Sequence, residues 1–150
     1  SDLGFNRVVW LGDGLINDHT DGHVDNLARF VAPGRVALPV ATMADDPNAT
    51  IYADAAARAR AAGLEVVEVP SPGLISSGNI IEPASYMNFV ITNALVVVPT
   101  YGAARDAEAV KAIDALFPGR EAVGIRAEAV LAGGGGFHCA SQQMPDLTLR

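Results

Sequence analysis

The only cysteine in the 150 residues, Cys139, follows directly on Gly133-Gly134-Gly135-Gly136-Phe137-His138. A glycine run costs backbone entropy and is tolerated where the chain must turn sharply or approach something closely. A lone cysteine is in general a small buried hydrophobe. With histidine and acid partners elsewhere in the chain it is a candidate nucleophile. Those partners occur in Asn17-Asp18-His19-Thr20-Asp21-Gly22-His23-Val24-Asp25-Asn26, which holds two histidines and three aspartates. On an extended strand alternate residues share a face, so the spacing predicts that His23 and Asp25 project the same way. An imidazole and a carboxylate converging on a thiol form a nucleophile–base–orienter arrangement. A metal site is the competing reading. It needs a third ligand such as His19 or Asp21, and no further His/Cys cluster accompanies the motif, so no metal and no cofactor are expected.

Between these stretches lies Ala84-Ser85-Tyr86-Met87-Asn88-Phe89, followed by Asn93 and Pro99-Thr100-Tyr101-Gly102. In this order, Thr20–Asn26, the Asn88 segment and Gly134–Gln143 resemble the agmatine deiminases and the related bacterial peptidylarginine deiminases. The resemblance runs from about Val9 to Pro145. The family often has Asn at the position of Gly136, Ile at Phe137 and Gln at Thr100. Gly136 is expected to leave the loop before Cys139 looser.

The resemblance implies a C–N hydrolase acting on the guanidinium of agmatine or an arginine-like substrate, with a link to putrescine biosynthesis. Cys139 is the implied nucleophile. The thiolate is its reactive form, and a nearby cation favours that form. His23 is the implied cation and proton donor to the leaving ammonia. Asp25 is the implied grip on the guanidinium, through paired charged hydrogen bonds. Asn88 is placed near the reacting thiol, Asp21 beneath the His23 loop, and His138 as orienter of the cysteine loop. Gly135 and Gly136 give Cys139 room. Asn88 and Asp21 also admit plain readings, a buried amide at strand ends and a turn aspartate before glycine.

Family members are longer and carry a further guanidinium-binding carboxylate in their N-terminal part. Residues 1–150 are therefore expected to form a single domain, the C-terminal portion of a deiminase. The expected partners are a cationic small molecule and either a second copy or a companion chain. An inactive fragment, or a binding and assembly module using an open apolar edge, is the alternative.

Composition bounds these readings. Half the residues are hydrophobic and 18% are charged, which suits a dense core or faces that meet another segment. The net charge is −7 and lysine occurs once, at Lys111. An acidic field with no basic cluster argues against nucleic acid and anionic membranes and suits a cationic substrate. One cysteine permits no internal disulfide. No signal peptide or membrane-length run is visible, so the expected location is cytoplasmic.

The elements that must position these residues follow from periodicity and turn chemistry. Strands are expected at Arg7–Leu11, Arg35–Val40 and Leu64–Val69. Ala94–Val98 and Glu121–Ile125 read as strands too, with Asn79–Ile81 paired to Tyr86–Thr92. Leu27–Val31 reads as strand or short helix. A helix should open at Asp46-Pro47 and run through the alanines to Ala62, with Gly63 closing it. Its buried face should hold Tyr52, Ala55, Ala56 and Ala59. A second helix spans Ala104–Phe117, and a short turn spans Glu128–Leu131. The fold class is α/β with mixed sheets. The resemblance implies a propeller of five ββαβ units, with residues for about two of them here.

Overall fold

The computed structural model describes residues 4, 5 and 7–144. Its backbone is two copies of one topology. In the first, β1 (Arg29–Ala32) turns through Pro33-Gly34 into β2 (Arg35–Val40). α1 (Ala49–Ala61) then crosses over to β3 (Glu65–Pro70). β1 pairs antiparallel with β2, and β2 pairs parallel with β3 from Arg35↔Glu65 to Val40↔Pro70. After a short hairpin of β4 (Ser76–Ser77) and β5 (Ile80–Ile81), the second copy runs through β6 (Val90–Ile91), β7 (Leu95–Thr100), α2 (Asp106–Asp114) and β8 (Glu121–Arg126). β6 is antiparallel and β8 parallel to β7. α3 (Glu128–Leu131) leads into the glycine run. The architecture is α/β with mixed sheets, built of two ββαβ units among the described residues.

The middle strands read as apolar runs because sheet and helix cover them. Ala37, Leu38, Val96 and Val98 are fully buried. Removing a Leu or Val of this kind from water contributes about 1.5–3 kcal/mol. α1 turns Tyr52, Ala55, Ala56 and Ala59 inward, and the small side chains let it lie close on the sheet. Each middle strand carries a proline at its fifth residue, Pro39 and Pro99. Proline cannot donate to a ladder. It is accommodated because β1 pairs with β2 only as far as Ala37, and β6 with β7 only as far as Val97.

Four expectations are corrected. Arg7–Leu11 forms no strand, and Val8 and Trp10 are exposed with relative accessibilities of 70% and 80%. Ile80–Ile81 pairs with Ser76–Ser77 instead of with Tyr86–Thr92, where only Val90–Ile91 is strand. α1 begins two positions after Pro47. The Asp46 carboxylate takes the backbone N–H of Asn48 at 2.9 Å and the hydroxyl of Ser71, so it braces the approach to the helix without capping it. α2 is shorter than expected at both ends.

Candidate functional site

Three segments meet at the site. Residues 18–26 enter β1, residues 85–89 enter β6, and the cysteine loop follows α3. The equivalent entrances of the two units thus supply a carboxylate and an amide, and the glycine loop brings the thiol between them.

The first segment is a turn, contrary to the extended strand expected. Asp21 and Gly22 hold φ values of 57° and 90°, which breaks any extension and favours glycine at the second position. Val24–Asn26 is a single 3-10 turn with His23 as its N-cap. His23 and Asp25 therefore do not share a strand face. The His23 ring is exposed, and among the described residues it makes no hydrogen bond to Cys139, Asp25 or Asn88. The expected buttress, Asp21, makes no side-chain hydrogen bond among these residues. Asp18 does that work. Its Oδ1 accepts from the Thr20 backbone N–H at 2.9 Å and hydroxyl at 2.5 Å, and its Oδ2 accepts from Asn26 Nδ2 at 3.2 Å.

Asn88 is the hub. Its Oδ1 accepts the backbone N–H of His138 at 2.8 Å and of Cys139 at 3.2 Å, which pins the cysteine loop. Its Nδ2 faces Asn26 Oδ1 at 2.8 Å, Asp25 Oδ2 at 3.1 Å and Cys139 Sγ at 3.1 Å. A primary amide nitrogen carries two hydrogens, so three acceptors compete for two donors. Asp25 Oδ2 also lies 2.6 Å from His138 Nδ1 and 3.4 Å from Cys139 Sγ. A carboxylate only accepts, so Nδ1 carries the hydrogen of the short contact. Asp25 Oδ1 makes no hydrogen bond among the described residues.

The glycines are explained by contact. A Cβ on Gly136 would lie 2.4 Å from Asn88 Oδ1, and one on Gly135 would lie 3.0 Å from Cys139 Cβ. Gly136 is buried. It is the floor on which the amide rests, and the expectation of a looser loop there is corrected.

Burial pushes the Asp25 carboxyl up. Hydrogen bonds from His138, Cys139 and Asn88, with the charge of His138, outweigh it and hold the group below its ordinary value. Asp25 and His138 line a groove of about 500 Å³ whose walls include Val9, Leu11, Val24 and Phe30. The thiol opens on a separate hollow of about 280 Å³ against the glycine run. Cys139 is exposed. Among the described residues no three His, Cys, Asp or Glu side chains are grouped to hold a metal ion. The arrangement offers an exposed thiol with an amide donor, beside a carboxylate with one open oxygen. Such a pair can attack a planar cation held in front of it.

Residues 1–145 match the family model of the Porphyromonas-type peptidyl-arginine deiminases. The chain belongs to this family. It is similar to the agmatine deiminase of Stutzerimonas stutzeri, 34% identical over 167 residues that cover 95% of this chain and 45% of that protein. The agmatine deiminase of Enterococcus faecalis superposes with a TM-score of 0.86 at 34% identity, over 96% of this chain and 46% of that one. The agmatine deiminase of C. jejuni gives 0.83 at 27%, over 93% and 42%. The chain thus spans less than half the length of these deiminases. Their resemblance extends over both ββαβ units and the site between them.

The sequence reading named Cys139, Asp25, Asn88 and His138, and these four meet. It placed His138 as a loop orienter through a backbone or side-chain hydrogen bond, and the residue makes both, its N–H to Asn88 and its ring to Asp25. It missed Asp18, Asn26 and Arg29, whose guanidinium donates to the main-chain carbonyls on either side of Asn88. Asp18-x-Thr20 carries the Asx-turn pattern that signals the first of these. Nothing in the local sequence marks the other two.

Proposed function

We propose that this deiminase-family chain carries the nucleophilic part of a C–N hydrolase site for agmatine or an arginine-like guanidinium. The observation that carries the reading is the meeting of Cys139, Asn88, Asp25 and His138 beneath an exposed thiol. Asp25 Oδ1 receives the guanidinium, and charged hydrogen bonds orient its carbon toward sulfur. The thiolate attacks that carbon. Asn88 Nδ2, within reach of sulfur, stabilises the anionic form.

The C–N bond then breaks as the nitrogen gains a proton, and ammonia leaves. The carbon remains attached to sulfur as an amidino-thioester. Water adds to the same carbon, the C–S bond breaks, and a ureido product and the thiol are released. His23, with its ring free, is assigned the proton transfer and must turn toward the bound substrate.

We further propose that the two ββαβ units belong to a five-unit propeller, whose other units supply a second guanidinium carboxylate. The exposed side chains of Val8, Trp10, Val24 and Phe30, at 61–80% accessibility, favour a packing face for those units or a companion chain. The acidic net charge suits a cationic substrate in the cytoplasm. No described helix is long and apolar enough to cross a membrane.

The test is agmatine turnover followed by ammonia release in the protein carrying this chain, with mass spectrometry of the quenched reaction. An amidino adduct on Cys139, lost together with turnover in Cys139→Ser, is the expected result. Turnover persisting in that variant refutes the covalent mechanism.

A further inference from the structure

A half-buried cation sits behind the site and takes no part in the proposed chemistry. Arg29 opens β1, four residues after Asp25. Its Nη1 donates to the carbonyl of Met87 at 3.2 Å and to that of Phe89 at 2.7 Å, the residues on either side of Asn88. Its guanidinium lies over the Phe89 ring, 4.7 Å from the centroid. Segment 86–89 is turn and coil, so no strand ladder fixes its course. From the same short stretch as Arg29, Asp25 and Asn26 accept from the Asn88 side chain. Residues 25–29 therefore grip Asn88 twice, at its amide and at the main chain flanking it.

We infer that Arg29 is a positioning residue for Cys139, acting through Asn88. The inference rests on the reading of Cys139 as nucleophile. A planar guanidinium stacked on an aromatic ring aims the two hydrogens of one nitrogen at two carbonyls in a fixed geometry, which a flexible ammonium does not. With both carbonyls held, the Asn88 amide presents Oδ1 to the cysteine loop and Nδ2 to the sulfur. The placement also sets a permanent positive charge behind the Asp25 carboxylate and behind a thiol that becomes anionic in the reaction. Burial lowers the Arg29 pKa, while Asp25 and Cys139 act to raise it.

The experiment is the second-order rate of Cys139 alkylation by iodoacetamide at neutral pH. It is read in variants whose fold is checked by circular dichroism. Arg29→Met should slow alkylation about tenfold by loosening the amide that supports the thiolate. Arg29→Lys should fall between Met and wild type. The variant combining Arg29→Met with Asn88→Ala should react no more slowly than Asn88→Ala alone, because the two act in series. A folded Arg29→Met with the wild-type rate overturns the proposal, as does a double variant slowed by the product of the single effects. Where Arg29→Met does not fold, Arg29→Lys decides, and the wild-type rate in it overturns the proposal. Ammonia release is measured in parallel. Absent turnover in the wild-type protein carrying this chain, with the alkylation pattern intact, would refute the enzymatic reading and leave the positioning role standing.

Discussion

Asn88→Ala tests the hub directly. The substitution leaves the Cys139 N–H without its side-chain acceptor and Asn26 Oδ1 without its donor. His138 N–H keeps a second acceptor, the Asn88 backbone carbonyl at 3.2 Å, so two groups are orphaned rather than three. At about 1–2 kcal/mol for each, the variant should lose roughly 2–4 kcal/mol of stability. At roughly 2–4 °C per kcal/mol for a chain of this size, the melting temperature should drop by about 4–16 °C. The sulfur also loses a donor 3.1 Å away. A hydrogen bond to a charged group contributes about 1.5–3 kcal/mol, so thiolate-dependent alkylation should slow by about 10- to 100-fold. Calorimetry and iodoacetamide kinetics read the two effects on one sample. A melting temperature within 2 °C of wild type, together with an unchanged alkylation rate, would refute the claim that Asn88 organises the site.

Asp25→Asn should weaken substrate binding and rate together by about 2–5 kcal/mol if Asp25 grips the guanidinium, and lower only kcat if it merely orients His138. The same variant has an acid signature. A carboxyl held below its ordinary value of 3.8 in the fold contributes stability that is present above that value and lost as pH falls through the lowered one. Wild type should therefore lose this contribution only below about pH 4, and Asp25→Asn should lose less across that window. Identical acid-unfolding curves would contradict the assignment. Asp18→Ala should cost about 1–3 kcal/mol by freeing Thr20 and Asn26, whereas Asp21→Asn, which keeps a residue tolerant of the left-handed backbone there, should leave the melting temperature unchanged. The reverse order in thermal denaturation would restore Asp21 as the buttress.

Much of the scaffold follows from local rules. Leu64–Val69 alternates and becomes β3 to within a residue at each end, and the alanine run becomes α1 with its expected buried face. The repeat of topology was legible only as two strand–helix–strand passes; that β2 and β7 carry a proline at the same place emerges with the strand bounds. The identity of the site residues was legible in residue types, whereas their pairing was not. Alternation assigns a face only if the chain is extended, and two consecutive left-handed residues at Asp21 and Gly22 make it a turn. Arg29 escaped because its partners are main-chain carbonyls about 60 positions away, and no spacing rule reaches that far. Gly136 read as slack because its neighbour in space, Asn88, is remote in sequence.

The contacts between Asn88, Asp25, His138 and Cys139 join residues 50 to 114 positions apart. Each such contact carries a loop-closure cost before it returns any enthalpy. α1 and α2 can nucleate on neighbouring residues, but the thiol acquires its surroundings only when both units have formed and docked. The reactivity of Cys139 is then a clock for the last stage of folding. A wild-type chain caught during refolding with full helical content but an ordinary thiol would have its layers and lack their junction.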